Sequence, residues 1–405
     1  MPRVSAYPMV SVAEAAQMIL ERAQPLGTER VALKDARGRF LAQDITADED
    51  LPGLPRSSVD GYAVIAGDDA QALEVLEEVT AGRLAHAHVR RGTAVRIMTG
   101  GTLPPGADAV VMVEEVEETN GHAVLQHRPR AGENVHPPGM DLTRGQGVLE
   151  AGSRIGAAEL GLLATVGCTQ VPVWRKPRVA VLATGDELVE PDQVPPPGSV
   201  RDSNRYALMA ATQEAGAEIA WHAHALDDEG ELERAMRTGL DSADVLLTSG
   251  GVSMGTRDLI KPLLETMATI HFGRVSFKPG KPLTFATTRE GKLAFGLPGF
   301  PVSSLVTFEV FVRPALLKLG GAANVQRPRV EVELEHEIRT DAVRPEYQRA
   351  MVRWHNGKFT ARTTGLQSSS RLMSIVGANA LLELDPGGET LPEGTMVRAL
   401  LLANL

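Results

Sequence analysis

Residues 245–258 read VLLTSGGVSMGTRD, and this stretch decides the fold. An apolar run at 245–248 leads into the glycine-containing segment 249–255, and Asp258 opens a helical pattern that continues toward Met267. The order strand, glycine loop, helix is typical of one unit of a parallel α/β sheet. The glycines leave backbone N–H groups unobstructed beside a helix N-terminus, where the helix dipole favours an anion.

The same alternation extends through residues 176–319. A predicted helix begins at Asn204, is capped by Asp202 or Ser203, and stops at Gly216. The predicted strands of this region cover residues 179–183, 217–226, 245–248 and 293–296. A second long helix is predicted for residues 302–319. The pattern therefore predicts an open, mostly parallel sheet with helices on both faces.

The flanking regions have different patterns. Residues 10–41 carry helical spacing with Ser11 as a candidate cap, and residues 157–166 carry a second helical stretch. Short β-type runs fill the space between them, and alternating strands without a long helix follow residue 329. We therefore predict an α/β multidomain protein with four parts. These are a discontinuous helical N-terminal and linker domain (1–41 and 150–175), an inserted mainly β domain (42–149), an α/β domain (176–326) and a C-terminal β domain (327–405).

The composition excludes several classes of protein. The chain has 405 residues, of which 43% are hydrophobic and 23% charged, so it is not intrinsically disordered. Its formal net charge of -10 would repel nucleic acid and an anionic membrane surface. No stretch approaches the roughly 20 apolar residues that cross a bilayer. We expect a protein of the cytoplasm with neither nucleic acid nor membrane as a partner.

A single cysteine, Cys168, excludes an intramolecular disulfide and a cysteine-rich metal site. Its apolar surroundings predict a buried structural thiol. The ten histidines show no spacing typical of a metal site, and no Ser-His-Asp arrangement is evident.

Side chains that can carry chemistry follow the predicted strands. Glu187 follows the first strand, Asp227 and Asp228 follow the second, and the glycine loop follows the third. Lys278 and Lys281 lie on a turn that two prolines stiffen. Because open parallel sheets bind ligands beyond the carboxyl ends of their strands, we expect these groups to lie together. Clustered carboxylates next to a phosphate favour Mg2+.

Each of these motifs also has a structural interpretation. Gly250 and Gly251 fit a tight turn as well as an anion-binding loop, and the lysine turn fits an ordinary solvated loop. Asp228 fits a helix cap. The loop matches neither the nucleoside-triphosphate loop nor the dinucleotide fingerprint, so both of those classes are rejected.

Eight motifs occur in a fixed order along the chain. They are residues 57–64 (SSVDGYAV), 96–100 (RIMTG), 132–135 (GENV), 184–188 (TGDEL), 202–204 (DSN), 249–258 (SGGVSMGTRD), 278–282 (KPGKP) and 297–303 (LPGFPVS). With these motifs the chain closely resembles the MoeA family of molybdopterin molybdenumtransferases, which includes the C-terminal half of gephyrin. The central region is also similar to the MogA-type adenylyltransferases.

The resemblance implies a four-part, elongated homodimer whose sites are shared between subunits. It also implies an activity: adenylylated molybdopterin and molybdate are the substrates, and a Mg2+-dependent step releases AMP as the metal is inserted. The dithiolene of such a substrate holds molybdenum, which agrees with a protein that has one cysteine. MogA-type adenylyltransferases and molybdoenzyme acceptors are the implied protein partners.

Motif matching also implies roles for individual residues. The residues implied in catalysis and Mg2+ binding are Glu187, Asp228 and Asp258. The residues implied in phosphate binding are Gly250, Gly251, Ser253 and Gly255. The residues implied on the molybdate and pterin side are Lys278, Lys281, Pro282, Ser303, Arg349 and Ser374. The residues of the β domain implied to face the active site, that of the other subunit, are Asp60, Thr99 and Asp141.

The chain departs from the family pattern at a few positions. Thr256 stands where the family often has Asp, Phe300 replaces the usual Asn, and Ser368 and Ser370 replace glycines. Two alternatives to the transferase remain. One is an adenylyltransferase acting one step earlier, and the other is a non-catalytic scaffold that binds partner proteins.

Overall fold

The computed structural model describes residues 7–251 and 259–403, which form two compact units. One unit contains residues 44–150 and 158–169, and the other contains the rest of the described chain. The fold thus has several parts and mixed α and β content. Its helices are α1 (Val12–Arg22), α2 (Ala157–Thr165), α3 (Asn204–Glu214), α4 (Glu229–Ser242), α5 (Ile260–Met267), α6 (Pro301–Thr307) and α7 (Arg313–Leu319). None of these helices is long and apolar enough to cross a membrane.

The unit around residues 44–150 is built on a six-stranded sheet. Its strands are β1 (Gly61–Val64), β2 (Leu73–Val79), β3 (Thr93–Ile97), β4 (Ala109–Met112), β5 (Val116–Thr119) and β6 (His122–Leu125). Their order is β4-β1-β3-β2-β6-β5, and only β2 and β3 are parallel. Tyr62 and Ala63 point into different hydrophobic clusters, so this sheet is covered on both faces. Cys168, in the same unit, is half-buried, so the buried-thiol prediction was wrong.

The second unit contains the α/β sheet. Its strands are β7 (Arg178–Thr184), β8 (Glu218–Ala225), β9 (Val245–Ser249), β10 (Thr269–Phe272), β11 (Thr284–Thr287) and β12 (Leu293–Leu297). Their order is β8-β7-β9-β12-β11-β10. The first four are parallel neighbours, whereas β11 and β10 are antiparallel additions at one edge.

Successive residues of β7 enter two separate hydrophobic cores. Val181 packs in one core with Leu208 of α3, and Leu182 packs in the other with Met236 of α4. All four side chains are fully buried. Because side chains alternate along a strand, a continuous apolar run can fill both cores at once.

The C-terminal residues form a closed five-stranded barrel. Its strands are β13 (Arg329–Leu334), β14 (Glu346–His355), β15 (Lys358–Thr363), β16 (Ala380–Leu384) and β17 (Met396–Leu401), in the order β13-β15-β14-β16-β17. Tyr347 of β14 contacts Phe277, which follows β10, with 5.1 Å between the ring centroids. The barrel and the α/β sheet therefore share part of one core.

The opening helix is shorter than the sequence pattern predicts. Ser11 caps α1 through a capping box with Glu14, as expected, but the helix ends at Arg22. Pro25 and Gly27 follow, and the chain continues as a strand. The short strands pair as Met9–Val10 with Arg274–Val275, Thr28–Ala32 with Gln170–Trp174, Ile45–Thr46 with Gly147–Leu149, Arg56–Ser57 with Val135–His136, Leu188–Val189 with Val200–Arg201, and Ile338–Arg339 with Thr390–Leu391.

The long helix predicted for residues 302–319 is present but is not uniformly α-helical. A π-helical segment, Phe308–Val312, joins α6 to α7. Pro314 follows at the start of α7 and has no N–H to donate to the preceding turn, which explains why the regular hydrogen-bond ladder is interrupted here.

Two helical glycines predict opposite effects of the same substitution. A Cβ on Gly239 of α4 would lie 2.9 Å from Cδ1 of Leu246 and 3.3 Å from Cβ of Ala180. Overpacking of about 1–3 kcal/mol exceeds the helix-propensity gain of about 0.5–1 kcal/mol, so Gly239→Ala is expected to destabilise the protein. Gly161 of α2 has no atom within 4 Å of such a Cβ, and Gly161→Ala is expected to stabilise it by about 0.5–1 kcal/mol. Scanning calorimetry of both variants checks the opposite signs, and equal signs would contradict the packing argument.

Candidate active site

A cavity of about 760 Å³ lies at the carboxyl ends of β7, β9 and β12. The turns that follow these strands form one part of its wall, and the lysine turn and a loop of the barrel form the rest. The predicted site residues that line it are Glu187, Gly250, Gly251, Lys278, Lys281, Pro282 and Ser303. Lining residues to which the sequence analysis gave no role include Thr184, Arg344, Gln367 and Ser369.

The turn after β9 requires glycine for steric reasons. Gly250 has φ +101° and Gly251 has φ +61°, both in the region that favours glycine. A Cβ on Gly250 would lie 2.5 Å from the carbonyl oxygen of Thr184, and one on Gly251 would lie 2.8 Å from Cγ1 of Ile260. The tight-turn interpretation is therefore sufficient to explain both glycines. Anion binding by the loop stays a prediction, because residues 252–258 lie outside the described residues.

Asn204 ties the ends of two strands together. Its Nδ2 donates to Oγ of Ser249, at 2.9 Å, and to the carbonyl oxygen of Gly299, at 2.7 Å. The sequence pattern predicted Asn204 only as the start of a helix. Its place in the motif DSN at 202–204 was the available signal for a further role.

Buried charges hold the start of α3. Asp202, and not Ser203, supplies the capping hydrogen bond, since its Oδ1 accepts from the N–H of Arg205 at 3.0 Å. The Arg205 guanidinium lies 2.9 Å from Asp202 and 2.6 Å from Glu190. Asp202 and Arg205 are 3% and 5% exposed, so this ion pair is shielded from solvent. It anchors the helix end that carries Asn204.

The two neighbouring aspartates after β8 have different environments. Oδ1 of Asp228 accepts from the N–H of Glu231 at 2.9 Å and caps α4, which is the structural role that the sequence allowed. Asp227 lines the cavity, as does the exposed carboxylate of Glu187. Between residues 7 and 251 and between 259 and 403, no three His, Cys, Asp or Glu side chains are placed to hold a metal ion. The predicted ligand Asp258, like the predicted phosphate contacts Ser253 and Gly255, falls outside these ranges.

Lys278 is held between the cavity and the barrel. Its Nζ lies 3.0 Å from Oε1 of Glu346 and 3.3 Å from Oδ2 of Asp341. Its backbone N–H donates to the carbonyl oxygen of Pro345, and its carbonyl oxygen accepts from the N–H of Tyr347. Lys281 is exposed, and no carboxylate of the described chain forms an ion pair with it.

Arg349 and Ser374 lie behind the cavity wall. Arg349 is fully buried, and its Nε and Nη2 lie 3.2 Å and 3.1 Å from Oγ of Ser374. Nη2 also donates to the carbonyl oxygen of Ser368, and the backbone N–H of Arg349 donates to Oε1 of Gln367. Gln367 and Ser368 line the cavity, so Arg349 shapes the wall through them. Burial lowers the pKa of Arg349 to about 10, and its Nη1 finds no hydrogen-bond partner in the described part of the chain.

The other predicted residues belong to the β-sheet unit. Oδ1 of Asp60 accepts from the backbone N–H of Thr99 at 2.6 Å and from its Oγ1 at 2.8 Å. These hydrogen bonds, that from the backbone first, lower the pKa of Asp60 and keep its carboxylate ionised. Asp141 is exposed in the same unit. The structure thus places Asp60 next to Thr99.

Three parts of the chain match models of known families. Residues 10–167 match the MoeA N-terminal region (domains I and II), residues 180–318 match the probable molybdopterin binding domain, and residues 331–402 match the MoeA C-terminal region (domain IV). The matches define a protein with a domain of the molybdopterin-binding type between two MoeA-specific regions.

Similar proteins cover the whole length of the chain. A molybdopterin molybdenumtransferase of Nostoc sp. is 37% identical over 399 residues, which are 95% of this chain and 91% of the relative. Gephyrin of Dictyostelium discoideum is 36% identical over 457 aligned positions, and the chain spans 64% of its length. The solved structure of the molybdopterin biosynthesis MoeA protein from Pyrococcus horikoshii OT3 has a TM-score of 0.82 and 29% identity, and covers 97% of this chain and 100% of that chain. The chain belongs to the MoeA family, which confirms the resemblance seen in the sequence.

The low pKa of Asp341 makes the stability of the protein depend on pH in the acidic range. Hydrogen bonds from the N–H groups of Val343 and Arg344, together with Lys278, lower the pKa of Asp341 to about 2. A carboxyl whose pKa is lowered by folding stabilises the native state above its ordinary pKa, and this stabilisation is lost as the pH falls toward the lowered value. We expect the free energy of unfolding to fall between about pH 4 and pH 2, and to fall less steeply for Asp341→Asn. Urea unfolding at several pH values measures both slopes, and identical slopes would contradict the assignment.

Proposed function

We propose that the chain is a molybdopterin molybdenumtransferase that inserts molybdate into adenylylated molybdopterin with release of AMP. The observation that carries the proposal is the cavity at the strand ends, which is lined by two lysines, by the glycine turn after β9 and by the carboxylates of Glu187 and Asp227. Its volume of about 760 Å³ is in the range of sites that enclose an organic ligand. The full-length similarity to a molybdopterin molybdenumtransferase supports the same activity.

The covalent step is the hydrolysis of a phosphoanhydride. Water adds to one phosphorus, and the bridging oxygen leaves with the other phosphate, so AMP and molybdopterin with its own phosphate are the products. The dithiolene thiols bond to molybdenum as an oxide of molybdate leaves with their protons as water. The central sheet, which packs against helices in two hydrophobic cores, holds the residues at its strand ends close to the substrates of both reactions.

We assign the charged residues of the cavity to two functions. Glu187 and Asp227 supply carboxylate oxygens, the ligand type that suits Mg2+, and a bound Mg2+ would neutralise phosphate charge there. We assign Asp258 and Asp228 to the same function by motif. Lys281 supplies an exposed ammonium for the molybdate oxyanion, and Pro282 and Ser303 line the same cavity. Arg349, which bonds to Ser374, holds the loop at Ser368 that lines the cavity.

Other parts of the proposal rest on the family alone. We assign Asp60, Thr99 and Asp141 to the site of a second subunit in a homodimer. Asp60 is suited to this role because Thr99 keeps its carboxylate ionised. A cytoplasmic location, a MogA-type partner and molybdoenzyme acceptors remain predictions from the sequence.

The AMP-release assay tests the function. Purified protein with adenylylated molybdopterin, Mg2+ and molybdate is expected to release AMP, because the anhydride is cleaved as molybdate is captured. Chromatography of AMP with and without molybdate measures this. No AMP under either condition would reject the transferase, and formation of adenylylated molybdopterin from ATP would favour the adenylyltransferase.

Substitution of Lys281 tests the division into two functions. Lys281→Ala removes one charge-assisted donor, so molybdate affinity is expected to fall about 10-fold to 100-fold while AMP release changes by less than about threefold. Isothermal titration with molybdate and the AMP assay measure the two effects. Lys358→Ala serves as the control because Lys358 lies on β15 outside the cavity wall and pairs with Glu333. Equal losses of molybdate affinity and AMP release in Lys281→Ala would refute the division.

A further inference from the structure

We propose that Glu346 and Asp341 of the barrel are positioning residues for Lys278. They hold its ammonium in the cavity wall and offset its charge, so that Lys278 acts as a directed hydrogen-bond donor. The inference rests on the proposed function in one respect, since that function places a substrate next to Lys278.

Glu346 is a buried acid whose ion partner is Lys278. Its side chain is 3% exposed, and its Oε1 lies 3.0 Å from Nζ of Lys278. Its Oε2 is buried and has no hydrogen-bond partner among the described residues. A buried carboxylate without a counter-ion is costly, so the ammonium and Glu346 hold each other in place.

Asp341 is fixed from a second direction. Its Oδ1 accepts from the N–H groups of Val343 and Arg344, each at 3.0 Å, which orients the carboxylate so that Oδ2 lies 3.3 Å from Nζ of Lys278. The Arg344 side chain contacts the residue before Lys278, because its Nη1 donates to the carbonyl oxygen of Phe277 at 3.3 Å. The loop that carries Asp341 is thus tied to the residue before Lys278.

Lys278 also lines a second cavity. It has a volume of about 520 Å³, and both Asp341 and Glu346 line it. Lys278 and Gln367 line both cavities, whereas the two acids do not line the first. Lys278 is therefore part of the walls of both cavities, and its two carboxylate partners line the second cavity and not the first. The ammonium of Lys278 has three N–H donors, so it can donate to a substrate oxygen while it also donates to the two carboxylates.

The two lysines of the motif KPGKP consequently differ. Lys278 has two carboxylates within 3.3 Å, whereas Lys281 pairs with no carboxylate of the described chain. An ammonium without a carboxylate partner attracts an anion over a distance, whereas an ammonium held by two carboxylates acts mainly as an oriented hydrogen-bond donor. We therefore assign electrostatic attraction of the anion to Lys281 and orientation of the bound substrate to Lys278.

Amine labelling tests the positioning without any assay of activity. A short pulse of an acetylating ester, followed by tandem mass spectrometry of the peptide that contains both lysines, gives the acetylation rate of each. Glu346→Gln keeps the shape of the side chain and removes the carboxylate charge that holds the ammonium of Lys278. The acetylation rate of Lys278 is therefore expected to rise about threefold to tenfold, whereas that of Lys281 is expected to stay unchanged. Glu383→Gln is the matched control, because Glu383 is also a barrel acid, paired with Arg329 at 3.0 Å and outside both cavities. Asp341→Asn replaces Glu346→Gln if the latter does not fold. An unchanged Lys278 rate in the folded variant would overturn the proposal.

Kinetics then separate positioning from a merely structural role. We expect Glu346→Gln to lower kcat for AMP release about tenfold and to change KM for molybdate by less than about threefold. In a Lys278→Ala background the same substitution is expected to have no further effect, because the residue acts through Lys278. Additive losses would contradict the proposal. If the wild-type protein releases no AMP, the proposed function fails, and the labelling result still decides whether the acids hold Lys278.

Discussion

The close approach of three turns at one edge of the α/β sheet is the constraint on which the site depends. The turn after β9 lies so near the end of β7 that a side chain at Gly250 would collide with the backbone of Thr184. A Cβ on Gly299, which follows β12, would lie 3.6 Å from Cα of Gly250. Only a residue without a Cβ at position 250 leaves room for the first two turns to lie this close, whereas a Cβ at position 299 would make an ordinary van der Waals contact. The cavity lined by the strand ends forms where these turns meet. Asn204 then joins two of the turns through hydrogen bonds.

The barrel packs against the α/β sheet and also contributes residues to the wall of the cavity. The backbone of Lys278 pairs with residues on either side of Glu346, and its ammonium lies against two barrel acids. Arg349 is buried in the barrel and supports a loop that lines the cavity. The wall of the candidate site therefore belongs to two parts of the chain that are far apart in sequence and form one compact unit. This arrangement places residues of the C-terminal region in the wall of the cavity at the strand ends.

Much of the fold could be predicted because its signals are local. Strands β7, β8, β9 and β12 lie where apolar runs predicted them, and Asp228 caps α4 as its position suggested. The errors also have local causes. The helical spacing beyond Arg22 was not sufficient to continue α1 past Pro25, and Pro314 placed a π-helical segment inside the predicted long helix. The half-buried state of Cys168 depends on how its unit packs, which its apolar neighbours in sequence do not reveal.

The sequence by itself determined the order of strands and helices, the glycine turns and the family to which the chain belongs. These follow from hydrophobic period, capping residues and motifs, each of which involves neighbours along the chain. Only the tertiary structure decided that Asp227 and not Asp228 lines the cavity, that Asn204 joins two strand ends and that Glu346 and Asp341 contact Lys278. Such contacts join residues that are distant in sequence. They depend on the register of strands and the docking of the barrel, and no local pattern encodes a distance between two side chains.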